Sequence, residues 1–326
     1  MRARRLGKTG RDVSEIGFGA WALGGDWGET DDDESLAAMH AAVDAGVTFF
    51  DTADVYGDGR SERLVGQLLR ERDEELFVAT KFGRRAPQEP DNFRYENLRG
   101  WLERSRENLG VQTVDLVQLH CPPWQTYYDP SVHEACGRLV EEGLARAYGV
   151  SVEKVEEALK AIEYPGVTTV QIIFNVFRQR PAGLFFEQAQ KRGVGVIVRV
   201  PLASGLLTGK LTRDSTFAAD DHRRYNRHGE AFDVGETFSG VDFEQGLEAV
   251  EELRALVPRG ATMAQLALRW ILEFEAVSTV IPGAKTPEQA RANAGAAELP
   301  ALPRATMDAV AELYERRIAP SVNHRW

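Results

Sequence analysis

Four polar side chains stand where buried strands are predicted to end, and their chemistry suits proton transfer. Asp51 and Tyr56 follow a short apolar run, Lys81 closes the next apolar stretch, and His120 closes the one after it. In a parallel α/β protein the reactive groups lie beyond the carboxyl ends of the strands. We therefore expect these four side chains to converge on one cavity.

Together the four groups could pass a proton to a carbonyl oxygen. The pKa of a tyrosine is ordinarily near 10, and a neighbouring ammonium group is expected to lower the pKa of Tyr56. Asp51 would supply the counter-ion that a buried Lys81 needs. His120 would donate a hydrogen bond that orients the substrate oxygen. Tyr56 would then act as a general acid, a role that contributes roughly 10²–10⁴-fold to a rate.

Each of the four residues also has an ordinary structural explanation when it is considered alone. Asp51 would suit a helix cap and Tyr56 a half-buried packing position. Lys81 could lie on the surface, and His120 could be a satisfied buried histidine. Only the occurrence of all four on three consecutive strand–helix units points to chemistry.

Strands and helices alternate along the whole chain. The predicted strands lie at 13–18, 47–51, 76–80, 114–119, 145–150, 167–173, 194–200 and 277–281. A helical pattern follows each of them, which implies parallel strands joined by right-handed crossovers. Eight such units predict an α/β fold, the (β/α)₈ TIM barrel. An open doubly wound sheet is the competitor, but the glycines after the first strand do not fit its Gly-x-Gly-x-x-Gly turn.

We expect a single barrel domain over residues 1–326 with three additions. Residues 1–12 have the turn signals of an N-terminal β-hairpin. Residues 206–242 form a polar insertion after the seventh barrel strand, either a flexible cover over a ligand or a disordered loop. Residues 318–326 form a tail, and its Trp326 is either a frayed end or an aromatic lip over the pocket.

Composition excludes several classes of partner. The 326 residues carry a formal charge of −11 and a pI near 5.2, which argues against nucleic acid or an anionic membrane. No apolar run approaches the ~20 residues that cross a bilayer, and no secretory signal is evident, so we expect a cytoplasmic protein. The two cysteines and six histidines show no spacing typical of a metal site.

Six motifs in order along the chain resemble the aldo-keto reductase family, especially bacterial members with a long loop after the seventh strand. They are FDTADVYGDGRSE at 50–62, ATK at 79–81, DLVQLH at 115–120, YGVS at 148–151, PLASGLLTGK at 201–210 and VIPGAK at 280–285. The resemblance implies a barrel that binds NADP(H) in an extended pose and reduces an aldehyde or ketone, or oxidises the alcohol. Asp51, Tyr56, Lys81 and His120 would be its catalytic residues.

The resemblance also implies which residues bind the cofactor. The positions that correspond are Ser151, Gln171, Arg199, Pro201, Leu202, Ser204, Gly205, Leu207, Lys210, Gly283, Lys285, Gln289 and Asn293. Four positions in or next to this set depart from the common family pattern. Val152 stands where an asparagine is frequent, Arg199 where a tyrosine stacks on the nicotinamide, and Lys285 where an arginine meets the 2′-phosphate. Ala292 also replaces an acidic residue that touches the adenine in many relatives.

Aromatic residues near the strand ends are candidates for the substrate wall, although each also suits ordinary packing. They are Trp21, Trp27, Phe82 and Trp124. Such walls suit sugars and aromatic aldehydes alike, so the sequence predicts a small carbonyl or alcohol substrate without naming it, and it carries no signal of oligomeric state. Two other functions stay open. One is an NADP(H)-binding regulatory protein like the potassium-channel β-subunits, and the other is an aldolase in which Lys81 forms a Schiff base.

Overall fold

The computed structural model describes residues 1–25, 27–28 and 30–326, and it begins with the predicted hairpin. Strand β1 (Ala3–Arg5) pairs antiparallel with β2 (Asp12–Ser14) across a turn at Gly7–Thr9. The hairpin therefore runs two residues further than expected. It closes the N-terminal end of the barrel, where its apolar side chains join an interior cluster made of Leu6, Val13, Phe49, Phe77, Ala79, Leu116, Ala147, Ile197 and Ile281.

Eight parallel strands form one sheet whose order follows the sequence. They are β3 (Phe18–Gly19), β4 (Phe49–Asp51), β5 (Phe77–Phe82), β6 (Leu116–His120), β7 (Tyr148–Ser151), β8 (Val167–Ile173), β9 (Gly195–Arg199) and β10 (Val277–Val280). Parallel bridges from Ile16 to Val280 and from Gly19 to Gly283 join the last strand to the first. The predicted (β/α)₈ barrel is confirmed. Its first strand is shorter than predicted because Val13 belongs to the hairpin.

The seam of the barrel depends on a glycine. The backbone N–H of Gly19 donates to the carbonyl oxygen of Pro282 at 3.0 Å. A Cβ atom at Gly19 would lie 2.7 Å from the carbonyl oxygen of Ile281. Any larger residue would therefore push the first and last strands apart at the rim where the site lies.

Helices surround the barrel, apart from the short ones that belong to the insertion and to the tail. They are α1 (Asp32–Asp44), α2 (Arg60–Glu71), α3 (Tyr95–Leu109), α4 (Pro130–Glu141), α5 (Val155–Ala161), α6 (Leu184–Lys191), α7 (His222–Tyr225), α8 (Phe243–Leu253), α9 (Met263–Leu272), α10 (Pro287–Ala294), α11 (Arg304–Leu313) and α12 (Ala319–Val322). The side chain of Asp31 caps α1 by accepting from the N–H of Glu34, as the sequence pattern predicts. Among the helices of the described residues, none combines the length and apolar character that a membrane span requires.

The insertion and the tail pack against each other on the carboxyl side of the barrel. The insertion contains α7 and short 3₁₀ turns at Val234–Glu236 and Phe238–Gly240, and it buries His222 completely. Trp326 at the end of the tail is only 4% exposed. It is neither frayed nor among the described residues that line the cavity, so both expectations for it were wrong. Closure of the insertion over a ligand stays a prediction.

Candidate active site

The structure brings the four predicted catalytic residues together at the carboxyl ends of β4, β5 and β6. The ammonium of Lys81 forms a buried ion pair with Asp51, donates to the carbonyl oxygen of Thr52 at 2.8 Å and lies 3.3 Å from the Tyr56 hydroxyl. The rings of Tyr56 and His120 are edge to face, with centroids 5.8 Å apart. Asp51 and Lys81 are almost completely buried, so their electrostatic interaction is poorly screened by water.

Two glutamine side chains hold Asp51 from the opposite side. The amide nitrogen of Gln171 donates to Oδ2 of Asp51 at 2.7 Å, and that of Gln118 lies 3.3 Å from the same oxygen. Gln171 also lines the cavity, where the resemblance implies a contact with the nicotinamide. These bonds fix the carboxylate that in turn fixes Lys81.

The pKa of Tyr56 lies well above its ordinary value of 10, so the expected lowering was wrong. Burial is the main cause, and the carboxylates of Asp51 and Glu236 add to it. The ammonium of Lys81 does not lower the pKa of Tyr56 to below 10, because the carboxylate of Asp51 largely neutralises its charge. The phenol therefore keeps its proton, as a general acid must before it reacts.

The imidazole of His120 is neutral in this environment. Burial, followed by the positive charges of Arg84, Lys81 and Arg199, lowers the pKa of His120 well below 6.5. Its Nδ1 is buried without a hydrogen-bond partner among the described residues, while its backbone oxygen accepts from Arg84 Nε at 3.3 Å. The ring can therefore serve as a neutral hydrogen-bonding group in the site.

Beside His120 lies a second charged group that the sequence interpretation missed. This arginine–glutamate cluster consists of Arg84, Glu153, Arg199 and Glu236. Arg84 Nη2 lies 2.8 Å from Glu236 and 3.5 Å from Glu153, and Arg199 Nη2 lies 2.9 Å from Glu153. The guanidinium groups of both arginines therefore lie against carboxyl oxygens in a region with little solvent, where a buried charge requires a partner.

The two glutamates differ in their affinity for protons. Burial disfavours ionisation of Glu236, but Arg84 and Arg199 outweigh it and lower its pKa to about 2. Burial dominates at Glu153 and raises its pKa to about 8, although Arg199 opposes the shift. The Cys121 thiol lies close to both carboxyl groups, and these three groups could ligate a metal ion. Both carboxyl groups, however, already form ion pairs with Arg84 and Arg199.

A cavity of about 460 Å³ opens from this end along the rim. Most of the predicted cofactor residues line it, namely Gln171, Arg199, Pro201, Leu202, Ser204, Gly205, Lys210, Gly283, Lys285, Gln289 and Asn293. Ser151 and Leu207 are completely buried and lie outside the described lining. Ser151 sits at the end of β7, with its hydroxyl 3.4 Å from the Cys121 sulfur, and Leu207 packs in the core because the turn at Ala203–Thr208 points it inward.

The loop after β9 has a strained backbone. Val200, Ala203 and Ser204 adopt positive φ angles of 51°, 47° and 52°, and Gly205 adopts 98°. A positive φ is a genuine outlier for a β-branched residue. Asn175 stabilises the bend by donating to the Val200 carbonyl oxygen at 2.8 Å. Strain of this kind persists where the surroundings enforce it, commonly at binding sites.

Three cationic side chains also line the cavity, those of Lys210, Lys285 and Arg223. The hydroxyl of Thr286 caps α10 by accepting from the N–H of Gln289. Arg223 was missed because it lies in the insertion, whose path the sequence does not specify. Its guanidinium pairs with Asp221 at 2.6 Å.

Only half of the predicted substrate wall faces the cavity. Trp21 and Trp27 line it, and Trp21 stacks on Tyr56 with a centroid separation of 6.2 Å. Phe82 does not line it, because its side chain is fully buried against Trp101 of α3. Trp124 is 59% exposed and packs edge-on against Tyr128, also outside the described lining.

Comparison with known proteins agrees with this geometry. The model of the Aldo/keto reductase family matches residues 15–315. Aldo-keto reductase YhdN of Bacillus subtilis is 32% identical over 307 residues, which are 90% of this chain and 87% of that protein. A probable voltage-gated potassium channel subunit beta of Arabidopsis thaliana is 30% identical and covers 97% of this chain and 98% of its own.

The fold is also similar to that of a solved structure. The glycerol dehydrogenase AKR11B4 from Gluconobacter oxydans superposes with a TM-score of 0.79 at 32% identity, and the match covers 97% of this chain and 96% of that one. The family match, the relatives and this structure all span nearly the whole barrel. The chain therefore belongs to the aldo/keto reductase family.

Proposed function

We propose that the protein catalyses the NADP(H)-dependent reduction of an aldehyde or ketone, or the reverse oxidation of an alcohol. The observation that carries this proposal is the Tyr56 hydroxyl, which lies 3.3 Å from the Lys81 ammonium at the wall of the cavity. A protonated phenol next to a fixed ammonium suits proton donation to a developing alkoxide.

The residues present fit a dinucleotide with several phosphates. The strained turn that contains Ser204 and Gly205 lines the cavity. Lys210, Arg223 and Lys285 supply positive charge along the wall of the same cavity. When bound, the cofactor would supply or accept the hydride.

The protein's own part in the reaction is the handling of one proton. His120 would donate a hydrogen bond to the carbonyl oxygen, and Tyr56 would give its proton to that oxygen as hydride reaches the carbon. The resulting phenolate would be stabilised by the Lys81 ammonium, which Asp51 and the Thr52 carbonyl hold in place. The phenol then regains a proton from solvent, so the net change is addition of a hydride and a proton to the carbonyl group.

A direct test uses NADPH and 4-nitrobenzaldehyde. We expect NADPH oxidation by the wild-type protein, and a loss of turnover of roughly 10²–10⁴-fold in Tyr56→Phe. Binding of NADPH to this variant, followed by fluorescence quenching, should remain close to wild type because the phenol lies at the carbonyl end. Equal turnover in Tyr56→Phe would remove Tyr56 as the acid.

One alternative has a specific observation in its favour. Similarity to the Arabidopsis channel subunit is compatible with an NADP(H)-binding regulatory protein that turns over little. Tight NADPH binding without turnover above the Tyr56→Phe level across an aldehyde panel would favour it. The Schiff-base aldolase is disfavoured, because the Lys81 amine is buried, engaged by Asp51 and Thr52, and not among the described residues that line the cavity.

A further inference from the structure

Trp326 lies at a junction between the tail, the insertion and the arginine–glutamate cluster. Its indole nitrogen donates to Oδ1 of Asp233 at 2.9 Å. One face of the ring lies 3.7 Å from the guanidinium carbon of Arg178. The ring is nearly fully buried, so these contacts are made in a region of low screening.

Two glycines of the insertion form the seat for this indole. A Cβ atom at Gly240 would lie 2.2 Å from the ring, and one at Gly235 would lie 3.0 Å from it. The absence of side chains at both positions lets the ring pack directly on the backbone of the 233–240 segment. Packing of this kind fixes the path of that segment.

The 233–240 segment carries Glu236 into the site. Asp233 accepts from the N–H of Gly235 at 2.7 Å and so caps the turn that contains Glu236. The backbone oxygen of Glu236 accepts from the Ser204 hydroxyl at 3.0 Å. The turn is thereby held by Trp326 on one side and by the predicted cofactor loop on the other, and its carboxylate meets Arg84 at 2.8 Å.

Trp326 also supports the second glutamate of the cluster. Arg178, which stacks on the indole, donates to the backbone oxygen of Glu153 at 3.0 Å. Glu153 in turn meets Arg199 at 2.9 Å. One aromatic ring therefore contacts the supports of both glutamates that hold the two arginines beside His120.

We propose that Trp326 is a positioning residue for the carbonyl end of the site, acting through the 233–240 segment and Arg178 on the arginine–glutamate cluster. This inference rests on the proposed reductase function. It assigns to a side chain outside the cavity an influence on the carbonyl substrate, with little influence on the dinucleotide.

The first experiment compares Trp326→Ala, Trp326→Phe and the control Tyr164→Ala. Tyr164 is half-buried and stacks on His133 of α4 with ring centroids 3.7 Å apart, and it precedes β8, so it lies at the amino end of the barrel strands and not at the end where the cluster lies. Trp326→Ala should lower kcat/KM for the aldehyde about tenfold, with the Kd for NADPH by calorimetry changed less than twofold. Trp326→Phe should recover part of the loss because it keeps an aromatic ring on the two glycines. Tyr164→Ala should lower the melting temperature and leave the kinetics unchanged.

A double-variant cycle tests whether Trp326 acts through Glu236. If it does, Trp326→Ala combined with Glu236→Gln should lose no more kcat/KM than the worse single variant, because both changes disrupt one unit. Losses that multiply, or wild-type kinetics in a folded Trp326→Ala, would overturn the inference. If Trp326→Ala does not fold, Asp233→Ala leaves the indole in the chain while removing its acceptor and the turn cap, and it should give the same selective loss.

A readout without turnover separates this inference from the proposed function. The imidazole resonances of His120, assigned by their loss in His120→Asn, should shift in Trp326→Ala and stay in place in Tyr164→Ala. A wild-type protein without NADPH-dependent turnover would remove the reductase function while these shifts still report whether Trp326 positions the cluster. Unchanged His120 resonances in Trp326→Ala would remove the inference while the function stands.

Discussion

Two groups of buried charges meet at the carbonyl end of the barrel, and they are built in different ways. The Asp51–Lys81 pair comes from adjacent strands and is held by two glutamines that also lie on strands. The arginine–glutamate cluster draws Glu236 from the insertion, and that segment is in turn seated on Trp326. The first group is fixed by the barrel itself, whereas the second exists only once the insertion and tail have packed.

We therefore expect the Asp51–Lys81 pair to take part in the chemistry and the arginine–glutamate cluster to position the groups around it. The strand-borne pair lies directly against the reacting phenol, so a change there should abolish proton transfer. The cluster surrounds His120 and the cavity wall without touching the Tyr56 hydroxyl in any contact seen in the described residues, so changes there should be graded.

The largest effect is expected from Lys81→Met. Loss of the ammonium removes the group that stabilises the Tyr56 phenolate, and turnover should fall roughly 10²–10⁴-fold. The substitution also leaves Asp51 buried without a cation, which costs about 3–5 kcal/mol of stability. The double variant Asp51→Asn/Lys81→Met should recover stability in urea unfolding without recovering turnover. Joint recovery of both would mean that Lys81 acts only through folding.

The same contrast explains which parts of the fold and of the site could be predicted from the sequence. Asp51, Lys81 and His120 were predictable because parallel strands place their final residues at a shared rim, whichever helices follow them. Barrel closure was predictable from eight strand–helix units, although the boundary of the first strand was not, because Val13 fits hairpin and barrel equally well.

The remaining parts of the site required coordinates. Glu236 lies in a segment of positive-φ residues and short turns, and no periodicity predicts its path. The packing of Trp326 depends on Gly235 and Gly240, which look like ordinary loop glycines in the sequence. Phe82 was misplaced because successive residues of a strand alternate faces, and Phe82 points outward to α3 whereas Lys81 points into the barrel. The one available signal was Arg199, since an arginine at a buried strand end requires acidic partners.

The second prediction concerns Lys285, at the position where the resemblance implies a contact with the 2′-phosphate of NADP(H). Lys285→Ala should reduce the preference for NADPH over NADH roughly 10- to 100-fold, the range for loss of a hydrogen bond to a charged group. The control Lys191→Ala removes an exposed lysine on α6 that pairs only with Glu187 among its described ion pairs. Kinetics with both cofactors measure the preference. An equal loss with NADH would indicate a general effect on folding or binding.

The third prediction distinguishes the two glutamates of the cluster at pH 7. Glu236, with a pKa of about 2, is ionised, so Glu236→Gln removes a charge that holds Arg84 and should lower kcat/KM about tenfold. Glu153, with a pKa of about 8, is mostly protonated, so Glu153→Gln should resemble wild type. At pH 9 the wild type acquires the charge and the Glu153→Gln variant does not, so their activities should diverge. A larger loss from Glu153→Gln at pH 7 would reverse the assignment.

The smallest effect on turnover is expected from Asp54, a buried carboxyl group in the loop between β4 and α2 that forms no ion pair with the described residues. Neither of its carboxylate oxygens has a hydrogen-bond partner among the described residues. Burial and the nearby Glu62 raise the pKa of Asp54 from 3.8 to about 7. Glu236 is equally buried but meets two arginines, which is why the pKa values of these two carboxyl groups lie so far apart.

The raised pKa makes Asp54 a pH-dependent cost to stability. Between pH 3.8 and about 7 the folded protein holds a proton that the unfolded chain has lost, so stability falls as the pH rises through this window. Asp54→Asn removes that dependence. The variant should match wild type near pH 4 and be more stable by up to about 4 kcal/mol at pH 8, measured by urea unfolding at both values.

The control for this measurement is Asp58→Asn in the same loop. Asp58 is exposed and pairs with Arg85 and Arg104, which lower its pKa. A lowered pKa has the opposite sign, because the folded state then holds fewer protons than the unfolded chain as the pH falls. Asp58→Asn should therefore lose stability relative to wild type as the pH rises, whereas Asp54→Asn gains it. Parallel pH profiles for the two variants would show that Asp54 finds a cation or a proton donor in solution, and the contrast between unpaired and paired carboxylates would fail.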